Sequence, residues 1–271
     1  MTQFTNKTFV VTGGTDGIGR ALVLNLLALG ANVVTCGRSQ QKILALEAEA
    51  PMGKICVLNA DVSVEKDCER LVDHAVKMFG GIDVLINNAG IAPTGDAYKR
   101  EISMANQIKR IEGRYDELTP TDSTVDLSDE EWDRMIKIHL YGTFYGTRAA
   151  LRHMTPQRRG SIVNISSIMG LRPSAGIPHY CAAKAAIIAF TKSTAQEVAP
   201  FGVRINAVCP GFVDTPMLDS MDDLALAGIR MQTPIGRLAS AEELSQVVRF
   251  LAGPESSYCV GDVFPASGGW V

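Results

Sequence analysis

Three polar side chains have the types and the spacing of a catalytic group for acid–base chemistry. Tyr180 and Lys184 stand four residues apart, just over one helical turn, so they share a face if the segment is a helix. A lysine cation beside a phenol favours the phenolate, so we expect the pKa of Tyr180 to be lowered toward neutrality. A phenol with such a pKa is a usable general acid or base. Ser167, thirteen residues before Tyr180, is the third candidate.

A glycine-rich stretch near the N-terminus has the composition of a phosphate-binding loop. The apolar run Phe9-Val10-Val11-Thr12 leads into Gly13-Gly14-Thr15-Asp16-Gly17-Ile18-Gly19 and then into a helix-forming stretch that ends at Gly30. A strand, a glycine loop and a helix in this order are the context that a dinucleotide fingerprint requires, because the loop and the helix start bind the pyrophosphate. The spacing is G-x-x-x-G-x-G rather than G-x-G-x-x-G, and a glycine-rich turn without a ligand is the alternative.

Short apolar segments alternate with helix-forming segments along the chain. The predicted strands are residues 8–12, 32–36, 54–59, 84–87, 160–165, 203–208 and 262–264, and the predicted helices are residues 18–29, 40–50, 64–79, 129–153, 180–198 and 241–252. Strands that are apolar on both faces form parallel sheets covered by helices. The pattern therefore predicts one doubly wound α/β domain over residues 1–271, with a seven-stranded parallel sheet, helices on both faces and a ligand site beyond the carboxyl ends of the strands.

Two helix starts and one long connection stand out within this pattern. Ser128 and Ser240 are each followed by a glutamate three residues later, which predicts capping boxes. Residues 91–127 form a connection that is unusually long for a compact domain, and its stretch 98–110 could be helical. The connection follows a strand on the ligand side of the sheet, so it is either a lid over the substrate or a mobile surface segment.

Composition limits the kinds of protein that this chain can be. It has 271 residues, 46% of them hydrophobic, and a formal net charge of −3 from interleaved acids and bases. Such a charge gives no electrostatic footprint for nucleic acid, and no apolar run is long enough to span a membrane. The first residues reach a strand almost at once and lack the apolar stretch and cleavage site of a signal peptide.

The cysteines and histidines predict neither disulfides nor a metal site. Six cysteines are scattered without a C-x-x-C pair, and several lie in apolar runs. We interpret them as reduced, mostly buried thiols of a cytoplasmic protein, with Cys181 as the one that could be reactive. The four histidines lack metal-ligand spacing, so no metal is expected: His74, His139, His153 and His179.

In combination, these motifs resemble the short-chain dehydrogenase/reductase family in its compact single-domain form, over nearly the whole chain. The residues Thr12, Gly13, Gly17 and Gly19 resemble its cofactor loop, and Ser167, Tyr180 and Lys184 fall at its catalytic positions. Three further segments match: Asp61-Val62 at the acid that reaches the adenine, Asn87-Asn88-Ala89-Gly90 at the family's N-N-A-G, and Pro210-Gly211-Phe212-Val213-Asp214-Thr215 at the segment that binds the nicotinamide end.

The resemblance implies a Rossmann-type oxidoreductase that interconverts a ketone and a secondary alcohol with a nicotinamide cofactor. Tyr180 would give its proton to the carbonyl oxygen, while Ser167 donates a hydrogen bond to that oxygen. Lys184 would lower the pKa of Tyr180 and hydrogen-bond the nicotinamide ribose. The resemblance also implies a homotetramer, or a dimer, built through the long helices and the C-terminal strand region.

One substitution departs from the family pattern. His139 occupies a position where the family usually has an asparagine, which kinks its helix and holds a water that links the lysine to solvent. An imidazole can also hold a water and pass a proton, since it both donates and accepts, so we favour a retained relay. The alternatives are that His139 only fills space while the relay is rerouted, and that redox chemistry is impaired.

The end of the second strand bears on the choice of cofactor. A carboxylate there would bind the adenosine ribose of NAD, but this chain has Gly37, followed by Arg38 and Ser39. A guanidinium suits a 2′-phosphate, so we expect NADP(H) rather than NAD(H). Asp16 argues the other way, because many NADP-binding members have a basic residue in the glycine loop.

The expected substrate is a small, mainly apolar ketone or alcohol. The segments that would line its pocket are 169–179 and 212–231, with the long connection and Trp270, and most of their residues are apolar. The alternative is that several of these side chains pack in the core.

Two other functions remain open at this point. One is a lyase or isomerase that uses the same fold and a transient oxidation, with His139 as an extra base. The other is a sensor that binds the cofactor and a partner without catalysis. The intact set of Ser167, Tyr180 and Lys184 argues against the sensor, since binding alone does not require it.

Overall fold

Seven parallel strands form one sheet at the centre of the computed structural model, which describes residues 3–94, 97–219 and 221–271. The strands are Thr8–Val11 (β1), Asn32–Gly37 (β2), Ile55–Asn59 (β3), Val84–Asn87 (β4), Gly160–Ile165 (β5), Val203–Pro210 (β6) and Val263–Ala266 (β7). Their order is β3-β2-β1-β4-β5-β6-β7. The chain winds outward from β1 in one direction and then from β4 in the other, which confirms the predicted doubly wound Rossmann-type sheet.

Helices cover both faces of the sheet. They are Gly17–Ala28 (α1), Gln40–Glu49 (α2), Glu65–Phe79 (α3), Ala97–Ile111 (α4), Asp129–Ile136 (α5), Gly142–Gln157 (α6), Pro178–Val198 (α7), Asp223–Gln232 (α8) and Ala241–Ala252 (α9). Side chains of α1, α2 and α9 pack against one face of the sheet, and those of α3, α6 and α7 against the other. Among the described helices, none is both long and apolar enough to cross a membrane.

Successive side chains of β1 point alternately into the two hydrophobic cores, one on each face of the sheet. Phe9 and Val11 point into the cluster with α1, whereas Val10 between them points into the cluster with α3. All three are fully buried. A side chain buried in this way contributes about 1.5–3 kcal/mol, so both faces hold the strand in register.

The segment predicted as one helix over residues 129–153 is more complex. It begins at Asp129 as α5, passes through a π-helical turn at Lys137–Tyr141, and continues as α6 to Gln157. Arg158 ends it in the left-handed region, at φ +53°. The π turn inserts an extra residue into the helix, which periodicity alone does not reveal.

Helix α8 was not among the predicted helices. The side chain of Asp222 caps it by accepting a hydrogen bond from the backbone N–H of Ala225 at 2.8 Å. None of the residues Asp223–Gln232 is buried, although several of them are apolar.

The two predicted capping boxes differ. At Ser240 both hydrogen bonds with Glu243 form, at 3.1 Å and 2.8 Å, as predicted. At Ser128 the hydroxyl accepts a hydrogen bond from the backbone N–H of Glu131 at 3.2 Å. This is one of the two hydrogen bonds that make up a capping box, and the described contacts do not include the second.

The long connection is largely ordered by its own contacts. It contains α4, as residues 98–110 suggested, and a short 3-10 turn at Tyr115–Glu117. The Asn106 amide donates to the Thr119 carbonyl at 2.7 Å and accepts from its N–H at 2.9 Å. A Cβ added to Gly176 would lie 3.9 Å from the hydroxyl of Ser123, so the connection reaches the loop between β5 and α7.

Candidate active site

The carboxyl ends of the parallel strands bring the predicted site residues to one edge of the sheet. Each group follows directly on a strand: Gly13, Thr15, Asp16, Gly17, Ile18 and Gly19 after β1; Arg38 and Ser39 after β2; Asp61 and Val62 after β3; Asn88, Ala89 and Gly90 after β4; Ser167 after β5; and Gly211, Val213 and Thr215 after β6, whose last residue is Pro210. Parallel strands make this convergence unavoidable, since all of them end on the same side.

The glycine loop after β1 is locked to the segment after β4. The Thr12 hydroxyl accepts from the backbone N–H groups of Asn88 and Ala89 at 3.0 and 3.1 Å. The Asn88 amide donates back to the carbonyls of Thr12 and Gly13 at 3.0 and 3.2 Å. Gly13 has φ +68°, and a Cβ there would lie 2.9 Å from the Cα of Ala89, so the loop accepts only glycine at this point.

A cradle forms where the start of α1 faces the segment after β6. Gly17 begins α1 with φ +49°, and a Cβ added to it would lie 3.4 Å from the Thr215 side chain. The Asp16 carboxylate accepts from the Gly17 N–H at 3.0 Å and forms an ion pair with Lys42 of α2. The close backbone approach and the free N–H groups at the helix start fit a dinucleotide pyrophosphate.

The ends of β2 and β3 border a cavity of about 360 Å³. The exposed side chain of Arg38 lines it, and its other charged residues are balanced between acids and bases: Asp61, Glu130, Asp133, Arg134 and Lys137. The side chain of Thr15 fills the space that a side chain at position 37 would need, so a carboxylate could not be accommodated at Gly37.

Ser167, Tyr180 and Lys184 lie together beyond the end of β5. Ser167 starts a 3-10 turn at Ile168–Gly170, and its Oγ accepts from the Met169 N–H at 3.1 Å. The Nζ of Lys184 donates to the Ile165 carbonyl at 2.9 Å and lies 5.6 Å from the centroid of the Tyr180 ring. The structure therefore brings the three predicted side chains to one place, with the lysine beneath the tyrosine ring.

Burial sets the pKa values of this group. It lowers the pKa of Lys184 to about 7, and it raises the pKa of Tyr180. A hydrogen bond with Ser167 lowers the pKa of Tyr180, but by less than burial raises it. The expectation that the pKa of Tyr180 is lowered is therefore wrong for this structure, because desolvation of the phenolate outweighs the hydrogen bond.

His139 lies in the π turn and is fully buried beside Tyr180. Their rings meet edge to face, with centroids 5.5 Å apart. The Nε2 of His139 lies 3.2 Å from the backbone nitrogen and 3.1 Å from the carbonyl oxygen of Ile91. Its Nδ1 is buried without a hydrogen-bond partner among the described residues. Burial, and then the charge of Lys184, hold the pKa of His139 well below its ordinary value, so the imidazole is neutral.

One residue with a role at this edge was not identified from sequence. The Thr35 hydroxyl, in β2, donates to the Val11 carbonyl at 2.6 Å and accepts from the Gly14 N–H at 3.1 Å. These two hydrogen bonds fix the glycine loop to the ends of β1 and β2. A threonine inside an apolar strand was the only available signal.

The histidines and cysteines add no further chemistry here. Within the described residues, no group of three or more His, Cys, Asp or Glu side chains could hold a metal ion. The cysteines are free, and four of them are buried: Cys36, Cys68, Cys181 and Cys209.

Comparison with known proteins agrees with this geometry. The sequence profile described as short chain dehydrogenase matches residues 7–224. The chain is 36% identical over 267 residues, 98% of each protein, to the 3-oxoacyl-(acyl-carrier-protein) reductase FabG of Thermotoga maritima. It is 35% identical to the enzyme of the same name from Escherichia coli over 268 residues, again 98% of each.

A solved structure extends the similarity to three dimensions. The crystal structure of a short-chain dehydrogenase/reductase, glucose/ribitol dehydrogenase, from Brucella melitensis superposes with a TM-score of 0.83 at 31% identity, covering 99% of this chain and 98% of that one. The family uses nicotinamide dinucleotides, and the glycine cradle fits such a cofactor. The chain therefore belongs to the short-chain dehydrogenase/reductase family and is a dehydrogenase/reductase that acts on CH–OH and carbonyl groups.

Proposed function

We propose that the enzyme uses NADP(H) to interconvert a ketone and a secondary alcohol on a small, mainly apolar molecule. The observation that carries this proposal is the meeting of Ser167, Tyr180 and Lys184 at the same sheet edge as the glycine cradle. The cofactor, when bound, supplies the hydride for reduction or accepts it in oxidation.

The side chains have distinct roles in this proposal. Tyr180 is protonated at neutral pH, since burial raises its pKa, so it can give its proton to a carbonyl oxygen. Ser167 donates a hydrogen bond to the same oxygen. Lys184, whose pKa is lowered to about 7, exchanges protons readily at physiological pH and lies within reach of the Tyr180 ring. His139, neutral and buried, carries protons between this group and solvent.

Replacing the tyrosine tests the proposal. We expect Tyr180→Phe to lower kcat for ketone reduction by about a hundredfold or more, because only the acidic hydroxyl is removed. The dissociation constant for NADPH should change little. Turnover is followed at the nicotinamide absorbance band with a panel of apolar ketones and alcohols. No turnover by the wild type would contradict the dehydrogenase function and favour a cofactor-binding sensor, whereas a fully active Tyr180→Phe protein would show that another group supplies the proton.

Three features support NADP(H) as the preferred cofactor. Arg38 is exposed at the cavity beside the ends of β2 and β3, where the charges of Arg134 and Lys137 are balanced by Glu130 and Asp133. A carboxylate that would repel a 2′-phosphate is sterically excluded at Gly37. The charge of Asp16 is compensated by its ion pair with Lys42, which weakens the argument that Asp16 disfavours NADP.

The cofactor preference is tested at Arg38. We expect Arg38→Ala to weaken NADPH binding by about tenfold or more, the effect of losing a charge-assisted hydrogen bond to phosphate. NADH has no 2′-phosphate, so its dissociation constant serves as the internal control and should stay the same. Isothermal titration with both nucleotides gives the comparison, and unchanged NADPH affinity would refute the assignment.

The surface around the site supports an apolar substrate. Tyr180, Ile177, Phe212 and Trp270 pack around the buried residues Ile168, Met169 and Cys181. Farther out, large apolar side chains remain exposed near α8: Leu171, Met217, Leu224 and Met231. The relatives named as 3-oxoacyl-(acyl-carrier-protein) reductases act on ketones attached to acyl groups, and an apolar carbonyl compound fits this surface.

The remaining proposals concern the whole protein. We propose a single catalytic domain over residues 1–271, because one sheet carries all of the site segments. A cytoplasmic location is supported by the free thiols. A homotetramer, or a dimer, is supported by the exposed aromatic side chains of Tyr141, in the π turn, and Phe144, in α6.

A further inference from the structure

Helix α8 is held to the protein mainly at its C-terminal end. None of its residues, Asp223–Gln232, is buried, and the helix follows the segment after β6 that carries Phe212, which packs with Tyr180 around Ile168 and Met169. The next residue, Thr233, is buried, and its hydroxyl donates to the Ile229 carbonyl at 2.7 Å. The residue that binds Thr233 therefore determines the position of the C-terminal end of α8.

The side chain that binds Thr233 comes from the far end of the chain. The indole Nε1 of Trp270 donates to the Thr233 Oγ1 at 2.8 Å. A backbone hydrogen bond from the Ile235 N–H to the Gly268 carbonyl, at 3.1 Å, supports the same junction. A Cβ added to Gly268 would lie 2.9 Å from the Thr233 side chain, so the C-terminal segment packs directly on the end of α8.

Trp270 also contacts two segments that surround the catalytic group. Its ring packs against Phe212, with centroids 5.4 Å apart, in the segment after β6. The Arg172 guanidinium lies 5.8 Å from the ring centroid and donates to the Trp270 carbonyl at 3.2 Å. Arg172 belongs to the loop that joins β5 to α7, between Ser167 and Tyr180. One indole thus joins α8, the β6 segment and the catalytic loop.

We propose that Trp270 is a positioning residue that fixes α8 as a wall of the substrate site through its hydrogen bond to Thr233. This inference rests on the proposed function for its effect on catalysis, but the attachment of α8 can be measured without any substrate. Loss of the indole N–H would let α8 move away from the site while the sheet and the cofactor cradle stay intact.

Hydrogen–deuterium exchange on the full chain tests the attachment. We expect Trp270→Phe and Thr233→Val each to raise exchange of residues 223–232 by about fivefold, the effect of one neutral hydrogen bond. The double variant should exchange no faster than Thr233→Val alone, because Thr233→Val already removes the bond that Trp270→Phe removes, together with the bond to the Ile229 carbonyl. Thr233→Ser keeps the hydroxyl and should match the wild type. Trp132→Phe, at the other tryptophan of the chain, is the matched control.

Steady-state kinetics test the consequence for the substrate. The KM for an apolar ketone should rise about fivefold in Trp270→Phe and Thr233→Val, with NADPH affinity unchanged and kcat within about twofold. Unchanged exchange over residues 223–232, or additive effects in the double variant, would overturn the proposal. A wild type that reduces no ketone would refute the proposed function alone, since the exchange comparison would still decide the role of Trp270.

Discussion

Burial governs the protonation of Tyr180, Lys184 and His139. It raises the pKa of the phenol and lowers those of the amine and the imidazole, so each side chain favours its neutral form. A neutral tyrosine can donate a proton, and a lysine with a pKa of about 7 can restore it at physiological pH. The reactivity of the group therefore depends on its depth in the protein as well as on the residue types.

Lys184 should leave a signature in the pH dependence of stability. Its folded-state pKa of about 7 lies below the ordinary 10.5, so between these values the unfolded chain binds more protons than the folded protein. Stability contributed by this group therefore rises with pH, by about 2 kcal/mol between pH 7 and pH 9. Lys184→Met should remove that gain, measured as the free energy of unfolding in urea at both pH values. The same pH dependence in the variant would show that Lys184 titrates normally.

Among the helices, the π turn at Lys137–Tyr141 has the clearest link to the site. The extra residue places His139 against Tyr180, while Nε2 stays bound to the Ile91 backbone and Nδ1 has no partner in the part of the chain that the structure describes. π turns frequently occur at functional sites. A neutral imidazole with one free nitrogen is suited to pass a proton.

Substitution of His139 tests whether it takes part in proton transfer. We expect His139→Phe, which keeps an aromatic ring beside Tyr180, to lower kcat by about tenfold or more with little change in NADPH affinity. His139→Asn, which restores the residue usual in the family, should recover most of the activity. The pH profile of kcat should shift in His139→Phe only. Full activity of the phenylalanine variant would mean that His139 merely fills space.

At the scale of the whole molecule, the end of the π turn and the start of α6 carry exposed aromatic side chains that form a surface suited to self-association, with Phe190 of α7 half-buried beside them. The rings of Phe144 and Phe190 meet edge to face, with centroids 6.2 Å apart, and the Arg148 guanidinium lies 4.6 Å above Phe144. Tyr141 and Phe144 are both exposed on this surface. Apolar aromatic patches with an arginine are typical of protein interfaces.

Analytical ultracentrifugation should detect this association. We expect the wild type to sediment as a tetramer at micromolar concentration and Phe144→Asp to sediment as smaller species, because the substitution removes the aromatic contact and adds a charge to the interface. Leu44→Asp, on the exposed side of α2, is the control and should not change the assembly. A monomeric wild type would rule out the tetramer.

The sequence by itself determined the seven strands and their parallel direction, and it predicted the glycine loop and the group of Ser167, Tyr180 and Lys184 as the candidate site. These features depend on local patterns: apolar runs that are buried on both faces, glycines at a strand end, and a spacing of one helical turn. The convergence of the loops follows from the parallel sheet, so it too could be predicted.

Tertiary structure decided the direction of the Tyr180 pKa shift, the π turn around His139, the existence of α8 and its attachment through Trp270. Each depends on partners far apart in the chain, such as Thr233 and Trp270, or on how deeply a group is buried. Local sequence carries no information about desolvation, because the burial of a group depends on segments that lie far from it in the chain.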